Sequence, residues 1–292
     1  MPVAPGKEVM TPEMFKRLVE MPPGDCVTVL LYGPAKSGKT FVMGSAGDRS
    51  LFISNGNGHA TLLSPLFKEK VGANPMIVVV ADPVDPETGL PETSIMLTKI
   101  KDAINYALIN MNDQFDTICI DDSTALSKSA FWKGLEINER TLKSKTMKAV
   151  EKEGVIMSTV QDYGLEMNLI MGFVTALIDT CQRYKKHLII GAHERFTFKK
   201  GDQIGELPTL VKVRPAFTGQ TFPDAVASLF DCVFHTEAVG GGSNTAYRVR
   251  TSGDEILLAG NRYGATFETV EQNLKITDMI RRIKDGQRAK GK

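Results

Sequence analysis

From residue 26 onward, the chain alternates between short apolar runs and longer stretches whose apolar residues recur every three or four positions. Residues 26–32 form a nearly continuous apolar run, the pattern of a strand buried on both faces. Residues 50–54, 75–81 and 187–192 read as further strands, and 117–120 as another short buried one. Between 94 and 111, Met96, Ile100, Ala103, Ile104, Ala107, Leu108 and Met111 fall at helical spacing. A second long helix is predicted over 162–184, with Leu169, Phe173, Ala176, Leu177 and Thr180 along one face. Doubly buried strands alternating with helices predict an α/β fold: a mostly parallel central sheet flanked by helices.

The last third changes character. Residues 232–237, 246–251 and 255–259 read as short strands with no helix between them, which predicts an antiparallel C-terminal extension. An amphipathic helix over 267–284 and a basic tail, 287–292, follow. At the other end, Thr11 as N-cap and Pro12 at the first helical position predict a short helix over 12–20. Residues 127–158 are polar, charge-dense and the least regular part of the pattern. No repeat divides the chain, so residues 1–292 read as a single domain with its core at 25–265.

Composition adds little that is specific. With 42% hydrophobic and 24% charged residues and a mean hydropathy of -0.11, the chain reads as a globular protein of the aqueous phase. The apolar runs are too short to cross a bilayer, and the N-terminus lacks the charged start and apolar stretch of a secretory signal. The expectation is a cytoplasmic protein with no membrane partner. Cys26, Cys119, Cys181 and Cys232 are widely separated within apolar segments, as buried thiols would be, and show no zinc-ligand spacing with any histidine. A net charge of +1 leaves any nucleic-acid partner to local basic patches.

The chemistry concentrates at two places. Gly33-Pro34-Ala35-Lys36-Ser37-Gly38-Lys39-Thr40 matches GxxxxGK[ST], directly after a predicted buried strand. Glycines let the backbone curl so that successive N–H groups face phosphate oxygens, and the helix that follows adds its positive end. Lys39 is expected on the β- and γ-phosphates and Thr40 on magnesium. Thr117-Ile118-Cys119-Ile120-Asp121-Asp122 then puts carboxylates at the C-terminal end of another buried strand, where open α/β sheets bind ligands. Asp121 is expected to complete the magnesium site. Asp122 is open to two readings, a base or a cap for the next helix. Together the two stretches predict a binder of ATP and Mg2+.

Three stretches in series, 30–40, 118–126 and 187–194, resemble the RecA-like recombinase core. The likeness is nearest to the small phage-encoded RecA-like proteins associated with single-strand annealing and recombination, and it spans about 25–265. The resemblance implies that His193 is a γ-phosphate sensor, a position where glutamine is commoner. It implies a mobile DNA-binding loop at 195–220, with Arg195, Lys199, Lys200, Lys212 and Arg214. A second DNA contact would fall within 127–162, which carries Lys128, Lys133, Arg140, Lys143, Lys145, Lys148 and Lys152, with Phe131, Trp132, Phe196 and Phe198 available for stacking on unpaired bases. Members of the group assemble into rings or filaments, so self-association is implied, with Arg262 a candidate for supplying charge in trans. A phage origin would make the location host cytoplasm.

One departure bears on chemistry. RecA-like proteins place a water-activating glutamate after the strand that follows the P-loop helix, whereas residues 52–58 here, Phe-Ile-Ser-Asn-Gly-Asn-Gly, hold no acid. Asp122 and then Glu194 are the candidate replacements; the alternatives are slow hydrolysis or activation by a neighbouring subunit. The expected function is an ATP-binding protein that binds single-stranded DNA and promotes annealing or strand exchange, with ATP hydrolysis. The alternative is a P-loop ATPase or nucleotide switch acting on a protein partner, such as a helicase loader or assembly factor.

Overall fold

The computed structural model describes residues 26–87, 91–141, 151–152, 155–156, 160–199, 207–217, 222–241 and 245–290. The first apolar run forms β1 (Thr28–Gly33), every residue of it buried. There follow α1 (Lys39–Gly44), β2 (Ser50–Ser54), α2 (His59–Leu62), α3 (Pro65–Lys70) and β3 (Met76–Val79). Next come α4 (Met96–Asn110), β4 (Thr117–Asp121) and α5 (Ser123–Thr141). A two-stranded ribbon, β5 (Glu151–Lys152) and β6 (Val155–Ile156), precedes α6 (Val160–Tyr184). The chain ends with β7 (His187–Lys199), β8 (Thr209–Pro215), α7 (Phe222–Ala227), β9 (Cys232–Val239), β10 (Ala246–Arg250), β11 (Gly260–Asn261), β12 (Val270–Gln272) and α8 (Ile276–Lys290).

The main sheet runs β12-β10-β9-β1-β7-β4-β2-β3, and the six strands from β9 to β3 pair in parallel. The predicted α/β fold with a mostly parallel sheet is present. So is the antiparallel extension, since β10 pairs antiparallel with both β9 and β12. Alternation along each strand divides the core in two. Leu30, Tyr32, Ile53, Ile118, Ile120 and Ile190 pack with α4, α5, α6 and α7. Val29, Leu31, Phe52, Cys119, Ile189 and Phe234 face α1, α3 and α8. Each such buried side chain contributes roughly 1.5–3 kcal/mol relative to exposure, which fixes the strand register.

Several elements differ from the sequence pattern. The irregular stretch 127–158 begins inside a helix: α5 continues to Thr141, with Leu126, Ala130 and Leu135 buried. Ser127 and Ser129 are buried beside them, and the Ser127 hydroxyl hydrogen-bonds the buried Glu166 carboxylate of α6. A helix face that buries serines does not register as apolar. Residues 255–259 are not a strand, because the Asp254 side chain accepts hydrogen bonds from the Ile256 and Leu257 amides and turns the chain there. The terminal helix starts at Ile276, later than the predicted 267, because 270–272 joins the sheet edge as β12. Nor is α8 an appendage: Ile276, Met279, Ile280 and Ile283 are part of the α1-side core.

Of residues 195–220, where the resemblance implies a loop, the described ones, 195–199 and 207–217, are largely strand. β1 and β7 stay in register from Thr28↔Leu188 to Gly33↔His193, after which β7 continues to Lys199, paired only with β8. The described part is a β-arm standing beyond the carboxyl edge of the sheet. Residues Tyr163–Tyr184 of α6 have the length and composition to cross a membrane, which the apolar runs read from sequence do not. Yet Ile170, Val174, Leu177 and Cys181 on one face are buried against the sheet, the pattern of a core helix. The predicted helix 12–20, Lys143 and Lys200 lie outside the described residues, as does the side chain of Arg140 on α5.

Candidate phosphate-binding site

β1 runs straight into the GxxxxGK[ST] stretch, and α1 begins at Lys39. Gly38, the N-cap of α1, has φ 88°, a left-handed conformation natural to glycine, and Lys36 has φ 63°. Alternating signs of φ in a tight loop turn consecutive N–H groups inward, which is how such nests bind anions. A second reason for glycine at position 38 is contact. A Cβ there would lie 2.1 Å from Cδ1 of Tyr247, so the Tyr247 ring of β10 packs directly on the loop. The Ser37 hydroxyl shares a 2.6 Å hydrogen bond with the Thr236 hydroxyl of β9, tying the loop to the neighbouring strand.

The Lys39 ammonium donates to the Gly33 carbonyl at 3.0 Å and the Pro34 carbonyl at 2.7 Å. Burial lowers its pKa, and Asp121, Asp122 and Glu194 act in the opposite sense. Thr40 Oγ1 donates to Asp121 Oδ2 at 2.6 Å. Asp121 is itself buried, and burial pushes its carboxyl above the usual aspartate range against the Thr40 hydrogen bond. Gly58 makes room for that carboxylate, because a Cβ there would sit 2.0 Å from Asp121 Oδ2.

β7 lies between β1 and β4, so His193 reaches the same edge as Gly33 and Asp121. Its Nε2 stands 3.3 Å from Asp122 Oδ2, and its backbone N–H donates to the Thr124 hydroxyl. The other oxygen of Asp122 accepts from the Ala125 amide and caps α5. The cap reading of Asp122 is present, and the same side chain lines the cavity. That cavity, of about 400 Å³, is bounded by Lys36, Gly38, Lys39, Thr40, Gly56, Asn57, Gly58, Thr61, Asp121, Asp122, His193 and Tyr247.

Glu194 is not among these lining residues. Strand alternation sends it to the other face of the sheet, where it pairs with Nε2 of the buried His235 at 2.8 Å. Neither family models nor curated proteins match this sequence.

The donor set fits magnesium better than a softer metal. Among the described residues no group of three or more His, Cys, Asp or Glu side chains is placed to hold an ion. A hydroxyl and one carboxylate in a cavity lined by a nest is the kind of partial oxygen site that Mg2+ takes when phosphates and water supply the rest. Thr40 and Asp121 would hold it.

The remaining predicted residues are dispersed. Arg214 is turned inward, with its Nε 2.7 Å from Asp224 and a guanidinium N–H on the Ile256 carbonyl. Arg262 lies at the amino end of β9, the opposite edge from the cavity, bonded to Asp231 and the Ser228 carbonyl. Lys199 and Lys212 are exposed on the β-arm, and Arg195 donates to the Phe217 carbonyl. Phe196 and Phe198 are exposed on that arm with ring centroids 6.4 Å apart. Phe131 packs against Trp132 and Tyr163 where α5 meets α6.

Gly56, Asn57, Gly58, Thr61 and Tyr247 line the cavity without being among the sequence-predicted site residues. Tyr247 carries no local signal, since in sequence it is one more aromatic residue of a short strand.

Proposed function

We propose that this chain is a Mg2+-dependent ATP-binding protein of RecA-like type that hydrolyses ATP slowly and carries single-stranded DNA on arms beside the nucleotide. The observation that carries the nucleotide half is the convergence of Lys39, the Thr40–Asp121 pair and His193 on one cavity, from three adjacent parallel strands. Lys39 and the loop N–H groups would hold phosphate oxygens; Thr40 and Asp121 would hold the ion that screens their charge. His193, which lines the same cavity, would sense the terminal phosphate. Asp122, already hydrogen-bonded through one oxygen to the α5 amide and lying beside His193, is a poor free base, and residues 55–58 hold no acid. Slow turnover follows from that arrangement.

The DNA half rests on what extends past the same edge. The β-arm carries the exposed rings of Phe196 and Phe198 and, at alternate positions, the exposed Lys199 and Lys212; rings and cations of this kind suit bases and phosphates of an unpaired strand. The hairpin of α5 and α6 adds Phe131, Trp132 and Lys128. A nucleotide switch acting on a protein partner draws support from the same slow site. Titration of fluorescent single-stranded DNA against salt, with and without ATP, separates the two. The proposal expects ATP-dependent binding that weakens steeply with salt; absence of binding at low salt in every nucleotide state removes the DNA half.

A further inference from the structure

Tyr247 lines two cavities. One is the phosphate cavity; the other, about 270 Å³, is bounded by Phe41, Val42, Val71, Tyr247, Asn273 and Leu274, together with Ser45, Lys70 and Lys275. Phe41 directly follows Thr40 in α1, and its ring lies 4.7 Å from that of Tyr247. The second cavity thus borders the phosphate cavity at Tyr247 and runs along the face of α1 that carries Phe41 and Val42, to Ser45 at its end. Its lining is mixed in the way small-molecule sites are: apolar walls with a few polar groups. Asn273, held in a left-handed conformation at φ 53°, accepts from the Tyr247 amide through its side-chain oxygen and donates its own amide to the Tyr247 carbonyl. These bonds hold the aromatic ring and the polar wall as one unit.

We propose that this second cavity is the nucleoside subsite, and that it takes the purine base of the triphosphate against the Tyr247 ring. The inference rests on the phosphate reading above and adds a division of labour to it. The parallel core holds the phosphates and the ion, whereas the antiparallel extension, through Tyr247 on β10 and the turn Asn273–Leu274 after β12, holds the base. Aromatic stacking is the contact every base offers through its π-face, and an edge of the base meets Asn273. On this account the C-terminal extension is what makes the chain a nucleotide site rather than a generic polyphosphate site.

Comparing ATP with inorganic tripolyphosphate, which has the phosphates without the base, tests this. Both are titrated calorimetrically with Mg2+ into the full chain and into Tyr247→Ala, Tyr247→Phe and Val71→Trp. The expected result is that Tyr247→Ala weakens ATP about tenfold or more while tripolyphosphate affinity stays within about twofold of the unaltered chain. Tyr247→Phe keeps ATP affinity because the ring is retained. Val71→Trp, which fills the cavity from another wall without touching the loop, weakens ATP selectively. Equal losses for both ligands in Tyr247→Ala, with no selective loss in Val71→Trp, would show that the ring only props the loop and would overturn the subsite. Unchanged ATP affinity in both variants overturns it as well. If the unaltered chain binds neither ligand, the phosphate reading itself fails and the subsite falls with it.

Discussion

Thr40 Oγ1 and Asp121 Oδ2 lie 2.6 Å apart, although 81 residues separate them in the chain. The first lies in the opening turn of the helix after β1 and the second ends β4, with β7 between those strands. Removing either should uncouple nucleotide binding from magnesium. Asp121→Asn is expected to bind ATP with an affinity that no longer responds to Mg2+, and Thr40→Val to lose most of the response. Titrating ATP with and without the ion checks both.

Asp122 is shared between a helix cap and the cavity. Asp122→Asn keeps the cap, since asparagine caps helices about as well as aspartate, so stability should hold while hydrolysis slows. Asp122→Ala should in addition lose roughly 1 kcal/mol of stability. Denaturant unfolding and phosphate release, measured on the two variants side by side, separate the roles. His193→Ala is expected to slow hydrolysis as Asp122→Asn does and to leave the cap intact.

Gly56 borders the cavity, and a Cβ added there would meet nothing within 4 Å. It stands in the acid-free stretch where a water-activating carboxylate is otherwise expected. Gly56→Glu should therefore fold normally and raise the rate of ATP hydrolysis. A steady-state rate no higher than that of the unaltered chain would mean that the missing acid is not what limits turnover.

On the β-arm, Phe196→Ala and Phe198→Ala should each weaken single-stranded DNA binding by about 1–3 kcal/mol if a base stacks there. ATP binding should be unaffected, because neither ring lines the cavity. Fluorescence anisotropy with a short oligonucleotide, alongside ATP titration, reads the two effects independently.

The cysteines give a prediction about pH. Burial, then the charge of Asp231, pushes the Cys26 thiol from 9.0 up to about 12, and burial raises Cys119, Cys181 and Cys232 further. Above pH 9 the unfolded chain releases thiol protons that the folded chain retains. The folded state then binds more protons, so stability is full below pH 9 and falls as pH rises toward 12. Urea unfolding between pH 8 and 11 should show that decline, and a variant with all four cysteines replaced by alanine should show less of it. At pH 8 the native thiols should react slowly with iodoacetamide and quickly after unfolding.

The parts of this fold that could be read in advance were those whose signal is local. A doubly buried strand must be apolar throughout, so β1, β2, β4 and the first half of β7 were legible. The glycine-bearing loop after β1 was legible because its backbone shape demands glycine at fixed spacing. What escaped depends on partners distant in sequence. α5 buries serines whose partner, Glu166, lies on another helix, and β7 continues past its apolar run because β8 pairs with it. Tyr247 became part of the site only when β10 was set beside β9 and its ring met Gly38. Glu194 was named from its place in sequence, but strand alternation turns it toward His235 instead of the cavity.

The most direct test of the central claim is equilibrium binding of Mg–ATP to the full chain and to Lys39→Ala. The lysine ammonium now satisfied by the Gly33 and Pro34 carbonyls should turn to phosphate oxygens, so the unaltered chain is expected to bind Mg–ATP and the variant to lose most of that affinity along with any hydrolysis. Equal affinity and equal turnover in the two proteins would contradict the phosphate site.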